Sequence, residues 1–283
     1  MRGYLIAGTL LALATGLGLG WKWQLGLLRA ALFTLAASVP AAFVLAAAGP
    51  WLGLTALSGT LAMWGLTVLI ALAGLAAIFF RDPARPPPAR PDVIVSPADG
   101  RVIYTRAVRP GQLPAASKNG RAAVLAELAG TPLSRGAAVA VGISMSLSDV
   151  HINRAPMAGR IRLLEHVPGR FGSLRDPAMI ASNERVTTII DNGGTQIALV
   201  QIASRLVRRI VTFVSRDDDV AAGQRIGAIR FGSQVDLLIP DGSGIRLAVR
   251  PGDRVVAGQT IVALLPAQRP GQPDAVAQLE DVR

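Results

Sequence analysis

Three long apolar runs within the first 80 residues constrain the fold of this chain more than any other feature. They cover residues 3–20, 27–48 and 52–80, and none of them contains an acid or a lysine. A helix needs about 20 apolar residues to cross a bilayer, and the second and third runs exceed that length. The first run has the basic start of a signal peptide, but no small-x-small cleavage site precedes Trp21. We expect a membrane anchor of two or three transmembrane helices over residues 1–80, with residues 49–51 as the last turn.

Basic residues flank these runs unevenly. Lys22 and Arg29 lie at the first connection, and Arg81, Arg85 and Arg90 follow the last run, whereas residues 49–51 carry no charge. Cytoplasmic flanks of transmembrane helices carry an excess of lysine and arginine, so both charged flanks are expected on the same, cytoplasmic side. The pattern therefore predicts a protein of the cell (inner) membrane whose remaining domain faces the cytoplasm.

A proline-rich segment, residues 81–91, separates the apolar runs from the rest of the chain. Proline lacks an amide hydrogen and breaks helices, so RDPARPPPARP is predicted to be a semi-rigid linker. Of 29 basic residues, three precede residue 81, which leaves 26 against 18 acids and a net charge of +8 beyond the apolar runs. This basic surface favours contact with an anionic membrane, and we expect no nucleic-acid partner because aromatic RNA-binding motifs are absent.

Short apolar runs interrupted by glycine and proline fill residues 92–267. This pattern is typical of a mostly β soluble domain, and we expect a barrel-like one. Residues 249–262, VRPGDRVVAGQTIV, resemble the hairpins of biotinyl- and lipoyl-type domains but contain no lysine that could carry a prosthetic group. We interpret them as scaffold, and the polar residues 268–283 as a flexible tail.

Residues 226–240, IGAIRFGSQVDLLIP, have the period of a half-buried strand with one interruption. Ser233 occupies a position in the alternating series where another apolar residue is expected. A bulge or a tight bend at Gly232 explains this on structural grounds. Alternatively, Ser233 is a reactive hydroxyl whose partners lie elsewhere in the chain.

The composition argues against metal and lysine-bound cofactors. Cysteine is absent, and the only two histidines are His151 and His166, so no metal site is predicted. The only lysines are Lys22, between apolar runs, and Lys118, in a Ser-Lys-Asn-Gly turn. We therefore expect no pyridoxal phosphate, which requires a suitably placed lysine.

Four short motifs carry candidate chemistry: SPADG at 96–100, SLSDVHINRAP at 146–156, NER at 183–185 and RFGS at 230–233. Each also has a structural explanation. Asp99 can cap its own turn, His151 can be a packing residue, and Glu184 with Arg185 can form a surface ion pair. Taken singly, the motifs do not define a function.

In this order, and behind apolar segments that end in FFRDP, the motifs resemble those of the phosphatidylserine decarboxylase proenzymes, in the shorter form with an RFGS cleavage motif. Residues 168–171 and 201–211 are also similar to family segments, and the resemblance extends from the third apolar run to about Ala267. It implies that Asp99, His151 and Ser233 are the catalytic residues and that the chain cleaves itself between Gly232 and Ser233. Ser233 then becomes a covalent pyruvoyl group that forms a Schiff base with the substrate.

The resemblance further implies decarboxylation of phosphatidylserine to phosphatidylethanolamine and CO2 in phospholipid biosynthesis. The partners would be phosphatidylserine in an anionic membrane and the two cleavage chains, 1–232 and 233–283, held together. Candidates for binding the lipid phosphate or carboxylate are Arg154, Arg185 and Arg208. The sequence leaves open whether the protein forms a homo-oligomer.

The chemistry of these three residue types leaves alternatives. A serine hydroxyl is neutral at pH 7, and an imidazole with a pKa of about 6.5 can accept its proton. An aspartate that orients the imidazole completes a Ser-His-Asp arrangement, so a membrane-anchored serine hydrolase is the main alternative. Ser233 nevertheless lacks the second glycine of the G-x-S-x-G turn. A non-enzymatic membrane scaffold is the third interpretation.

One departure from the family pattern precedes the DVH motif. The family usually has Pro-Phe after the serine of this loop, whereas this chain has Leu147 and Ser148. A hydroxyl in place of an aromatic ring predicts a wetter pocket wall and an altered substrate preference.

Overall fold

The computed structural model describes residues 2–23, 25–111, 115–118, 121–124, 132–168, 184–203, 210–229, 234–241 and 244–266 of the 283-residue chain. The chain divides into two compact units, Met1–Arg81 and Asp82–Arg283. The predicted cleavage dipeptide Gly232-Ser233, together with Asn183, Arg208 and the tail, lies outside the described residues.

The first unit consists of three apolar helices, where two or three were predicted: α1 (Arg2–Lys22), α2 (Leu27–Leu52) and α3 (Ala56–Phe79). All three are long and apolar enough to cross a membrane. Small residues allow them to pack closely, since a Cβ on Gly59 would lie 2.7 Å from the Tyr4 ring and one on Gly8 would lie 2.5 Å from the Met63 side chain. The Trp64 Nε1 also donates a hydrogen bond of 3.1 Å to the Thr15 hydroxyl.

The last turn lies later in the chain than residues 49–51, where it was predicted. The α2 helix continues through Pro50 to Leu52 and ends at Gly53, whose φ of 59° is a left-handed conformation that glycine adopts at no steric cost. Thr55 then caps α3 through a reciprocal pair of hydrogen bonds with Ser58. Pro50 therefore lies inside the helix and not in the turn.

The second unit is mostly β, as predicted, and its paired strands are antiparallel. In the described part of the chain its elements are β1 (Val93–Val95), β2 (Gly100–Val108), β3 (Ala115–Lys118), β4 (Arg121–Val124), α4 (Pro132–Arg135), β5 (Ala138–Ser144), β6 (Ile152–Arg154), β7 (Gly159–Val167), β8 (Arg185–Asp191), β9 (Gln196–Ile202), β10 (Ile210–Thr212), β11 (Asp219–Val220), β12 (Arg225–Ile229), β13 (Gln234–Pro240), β14 (Arg246–Leu247), β15 (Arg254–Val255) and β16 (Ile261–Leu264).

The largest sheet has eight strands in the order β11-β7-β8-β9-β13-β5-β2-β15 and curls into a half-barrel. Two three-stranded sheets, β1-β16-β14 and β10-β12-β6, and the β3-β4 pair complete the unit. Residues 249–262, which resemble a biotinyl-type hairpin, contain β15 and the start of β16. Strand β15 pairs with β2, whereas β16 pairs with β1 and β14, so the two strands belong to different sheets.

Residues 226–240 form two strands rather than one interrupted strand. The first part is β12 in a three-stranded sheet, and the second part is β13 between β9 and β5 in the large sheet. The period of a half-buried strand was misleading, because β13 is buried on both faces. Its polar residues Gln234 and Asp236 are at most 1% exposed, and their side chains hydrogen bond to each other at 2.8 Å. Tyr104 donates a further hydrogen bond of 2.6 Å to Asp236.

Candidate functional site

The SPADG motif forms a tight turn between β1 and β2. The Ser96 hydroxyl donates to the Ala98 carbonyl at 2.7 Å, and the Pro97 carbonyl accepts the Arg154 amide at 2.9 Å. Gly100 is required at the end of the turn because its φ is 150° and a Cβ there would collide with the Ser144 carbonyl. This close approach brings the turn next to the end of β5, where the DVH loop begins.

Asp99 lies in this turn with its carboxylate buried. Both of its oxygens accept hydrogen bonds from the Arg85 guanidinium, the Nη2 bond being 2.8 Å long. The Ala257 amide donates at 2.8 Å and the Val150 amide at 3.3 Å. Among the described residues, Asp99 thus contacts the backbone of the loop that carries His151 and makes no hydrogen bond with the imidazole.

These contacts determine the charge state of Asp99. Burial by itself would raise the pKa of this carboxyl, but the hydrogen bonds from Arg85 and the Ala257 amide lower it, as do the Arg85 charge and the Val150 amide. The net result is a pKa below the ordinary value, so Asp99 is a carboxylate at neutral pH.

The DVH loop is ordered by Asp149, a residue that the sequence analysis did not single out. Its buried carboxylate accepts hydrogen bonds from the Ser146 amide at 2.7 Å and the Ser146 hydroxyl at 2.8 Å. Arg254 donates to the other oxygen at 2.8 Å. The DVH motif was the sequence signal that could have found Asp149. Its partner Arg254 lies 105 residues later in the chain, so no local pattern indicated their contact.

His151 follows this loop and is 2% exposed. Its Nδ1 lies 2.9 Å from the Asp149 carbonyl, which fixes the ring relative to the loop. Its own carbonyl accepts a hydrogen bond of 3.1 Å from the Ile229 amide. His151 is therefore attached to the last residue of β12, four positions before Ser233.

The described residues on both sides of RFGS meet the ends of one segment, 144–151. Upstream, Ile229 donates to the His151 carbonyl. Downstream, Gln234 is paired with Ser144 in the ladder between β13 and β5. Ser144 also faces Arg101, the residue after the SPADG motif, in the ladder between β5 and β2. The SPADG turn, the DVH loop and the described strands that flank RFGS are therefore neighbours in space, although they come from distant parts of the sequence.

The NER motif occupies a different position, at the start of β8. Glu184 is buried, and its Oε1 lies within hydrogen-bond distance of His166 Nε2, at 2.9 Å. It therefore does not form the surface ion pair with Arg185 that its sequence position allowed. Arg154, a candidate for binding an anion, is also buried. Its guanidinium donates to the Gly223 carbonyl at 2.9 Å and pairs with Asp82 at 3.2 Å.

The two residues that depart from the family pattern lie at the surface of the DVH loop. Ser148 is exposed and its hydroxyl is 3.0 Å from that of Ser146, while Leu147 is half-buried. Within the described ranges, no group of three histidine, aspartate or glutamate side chains is arranged to hold a metal ion.

Comparison with known proteins identifies a family. The sequence profile described as phosphatidylserine decarboxylase matches residues 72–263. A phosphatidylserine decarboxylase proenzyme of Symbiobacterium thermophilum is 40% identical over 205 residues, which are 72% of this chain and 85% of that protein. Proteins of the same name from Mycolicibacterium gilvum (41% over 212 residues, 75% and 83%) and Erythrobacter litoralis (44% over 201 residues, 71% and 76%) are similarly related.

Proposed function

The chain belongs to the phosphatidylserine decarboxylase family, and from this premise we propose that it decarboxylates phosphatidylserine to phosphatidylethanolamine after cutting itself between Gly232 and Ser233. It is a decarboxylase made as a self-processing proenzyme. The observation that carries the proposed cleavage site is the meeting of both flanks of RFGS, at Ile229 and Gln234, with the segment 144–151 that ends in His151.

The proposed cleavage starts with attack of the Ser233 hydroxyl oxygen on the Gly232 carbonyl carbon. The peptide C–N bond breaks, an ester joins the two residues, and the nitrogen of residue 233 becomes a free amine. Loss of the Cα proton and of the Gly232 carboxylate from Cβ leaves dehydroalanine at position 233. Its imine tautomer reacts with water, which releases ammonia and leaves a pyruvoyl group.

His151 is the proposed base for this attack. A hydroxyl must lose its proton as it attacks, and a positioned imidazole contributes typically 10²–10⁴-fold to such a step. The hydrogen bonds to the Asp149 carbonyl and from the Ile229 amide support this assignment, because they fix His151 beside the strand that precedes the cleavage site.

The proposed role of Asp99 follows from its contacts. Its carboxylate binds the Val150 amide, so it acts on His151 through the backbone of the preceding residue. In this proposal Asp99 positions the base and does not exchange a proton with it. An aspartate in direct contact with the imidazole, as in a serine hydrolase, is not required.

The residues around position 233 fit a covalent carbonyl cofactor. A pyruvoyl group supplies a carbonyl that accepts the electrons released when CO2 leaves the substrate. It would directly precede β13, whose residues Gln234 to Ile239 are all buried. We propose that this strand restricts the motion of the group and that His151 returns a proton to the substrate carbon.

The fold also supports the proposal that the two cleavage chains, 1–232 and 233–283, stay together. Strand β13 belongs to the smaller chain and pairs along seven residues with β5 and along five with β9, both in the larger chain. Additional links join Arg254 to Asp149 and the Ala257 amide to Asp99. Cleavage before Gln234 therefore leaves the large sheet intact.

The proposed location is the inner membrane, with the β domain on the cytoplasmic side. Support comes from the three apolar helices and from the basic flanks at Lys22, Arg29 and Arg81 to Arg90. Protease added to intact cells should leave the β domain uncut, and removal of the domain would place it on the outer side.

A substrate comparison tests the proposed reaction. Purified wild-type protein should convert phosphatidylserine in mixed vesicles to phosphatidylethanolamine and release CO2. Free serine should be a far poorer substrate, because it lacks the part of the lipid that stays in the membrane. Equal turnover of the two substrates would indicate an amino-acid decarboxylase and contradict the proposal.

A further inference from the structure

Residues 82–87, which directly follow the apolar unit in the chain, are bound to the β domain. We refer to them as the clasp. Asp82 pairs with Arg154 at 3.2 Å and with Arg225 at 2.5 Å, and the Pro83 carbonyl accepts a second hydrogen bond from Arg154 at 2.9 Å. Arg85 forms the two-pronged pair with Asp99. Three charged contacts therefore attach a segment that the sequence analysis interpreted only as a linker.

The clasp binds at one end of the strand pair β6-β12, and His151 lies next to the other end. Strands β6 and β12 pair so that Arg154 and Arg225 face each other, and at the other end the Ile229 amide donates to the His151 carbonyl. Two like charges directly opposite each other destabilise a pair of strands. The Asp82 carboxylate lies against both guanidiniums and compensates their repulsion, so the clasp supports the ladder from the end opposite to His151.

We propose that Arg85 is a positioning residue for the self-cleavage site and acts through Asp99, whose carboxylate it holds against the backbone of the Val150–His151 loop. This inference rests on the proposed function, since it assumes that His151 promotes cleavage at Gly232-Ser233. It extends that function to a residue that precedes the β strands and lies six positions after the last residue of α3.

The physical basis is the compensation of a buried charge. The side chains of Arg85 and Asp99 are each about 10% exposed, and the charged groups facing Asp99 in the described chain are Arg85 and, at longer range, Arg154. Removing one member of such a pair leaves an uncompensated buried charge. Without Arg85, burial raises the pKa of Asp99, and a protonated carboxyl is a poorer acceptor for the Val150 and Ala257 amides. The loop before His151 then loses its attachment.

The test compares self-cleavage in three full-length variants: Arg85→Met, Arg85→Lys and the control Arg90→Met. Arg90 is an exposed arginine that pairs with Asp92 and lies outside the site. Arg85→Met is expected to slow cleavage by roughly tenfold or more, because a misplacement of about 1 Å costs up to about 10²-fold in rate. Arg85→Lys should recover part of the rate, because lysine keeps the positive charge. Recovery should be incomplete, because lysine cannot form the bidentate pair that arginine forms with a carboxylate. Arg90→Met should cleave at the wild-type rate.

The pH dependence of cleavage separates positioning from a general loss of stability. In Arg85→Met, the fall of the cleavage rate on the acid side should move to higher pH than in the wild type, whereas a purely structural defect would lower the rate equally at every pH. If Arg85→Met does not fold, Arg85→Lys carries the same test with a smaller shift. Wild-type cleavage rates and pH profiles in both Arg85 variants would overturn this inference and leave the proposed function unaffected. Absence of cleavage after Gly232 in the wild type would overturn the proposed function as well.

Discussion

The strands on the two sides of the predicted cleavage site differ in how firmly they are held. Upstream, β12 is a five-residue strand in a three-stranded sheet, and one of its residues is exposed. Downstream, β13 has seven residues, is central in the eight-stranded sheet and is buried along its whole length except at Pro240. If the chain is cut as proposed, the smaller chain would begin just before a buried central strand of the large sheet, whereas β12 in the larger chain would be held by β6 and β10.

This asymmetry is suited to the proposed pyruvoyl group. A group on the residue that directly precedes a buried strand would have few alternative positions, which is the condition for efficient reaction with a substrate. The upstream strand has a different role, since its last residue anchors His151. In the proposed cleavage, His151 and the strand that anchors it belong to the larger chain, and the reactive carbon belongs to the smaller chain.

The largest expected effect in the upstream region comes from His151→Ala. Loss of the base should slow self-cleavage by about 10²–10⁴-fold. The chain offers a matched control in His166→Ala, because His166 is the only other histidine and pairs with Glu184 away from the site. Gel analysis of cleavage over time measures both variants. Normal cleavage of His151→Ala would show that neither His151 nor the strand that anchors it is needed for cleavage.

The downstream strand should be far more sensitive to core truncation. Leu237→Ala, at a fully buried position of β13, is expected to lower the free energy of unfolding by about 2–5 kcal/mol. Val211→Ala, at a half-buried position of β10 beside β12, should cost less, about 1 kcal/mol. Urea unfolding in the uncleaved Ser233→Ala background measures the two. Equal losses would contradict the difference between the two regions.

A smaller effect concerns the charge of Asp99, whose carboxylate accepts hydrogen bonds from Arg85 and from the Ala257 amide. Its pKa in the folded protein lies below the ordinary value of about 3.9, so its contribution to stability is present above that pH. As the pH falls below about 4, unfolded chains take up the proton first and the contribution declines. Asp99→Asn should therefore be less stable than wild type at pH 7, and the difference should shrink near pH 3. If the difference in unfolding free energy between Asp99→Asn and the wild type did not change with pH, the charge assigned to Asp99 would be wrong.

The sequence predicted the parts of the fold that follow from local patterns. The three apolar helices and most longer strands were recognisable because their periodicity and their glycine and proline boundaries are local signals. Strand β13 shows the limit of such signals. Gln234 and Asp236 suggested a solvent-facing side, and only their hydrogen bonds with each other and Tyr104 make burial tolerable.

The candidate site shows the same limit. The motifs predicted Asp99 and His151 as site residues, but the residues that contact them in the structure include ones from distant parts of the chain. Arg85 was considered only for its charge beside the membrane, and Arg254 was not considered at all, yet they pair with Asp99 and Asp149. An ion pair between distant segments leaves no local pattern in one sequence, so the structure was needed to find both.

Intact-protein mass spectrometry of wild type and Ser233→Ala tests the central claim most directly. Wild type should give a chain that ends at Gly232 and a fragment of 283 − 232 = 51 residues. The first residue of the fragment should be blocked to Edman degradation, because a pyruvoyl group has no amine. Ser233→Ala should remain a single inactive chain of 283 residues. An uncleaved wild type, or an uncleaved Ser233→Ala protein that still decarboxylates phosphatidylserine, would contradict the account.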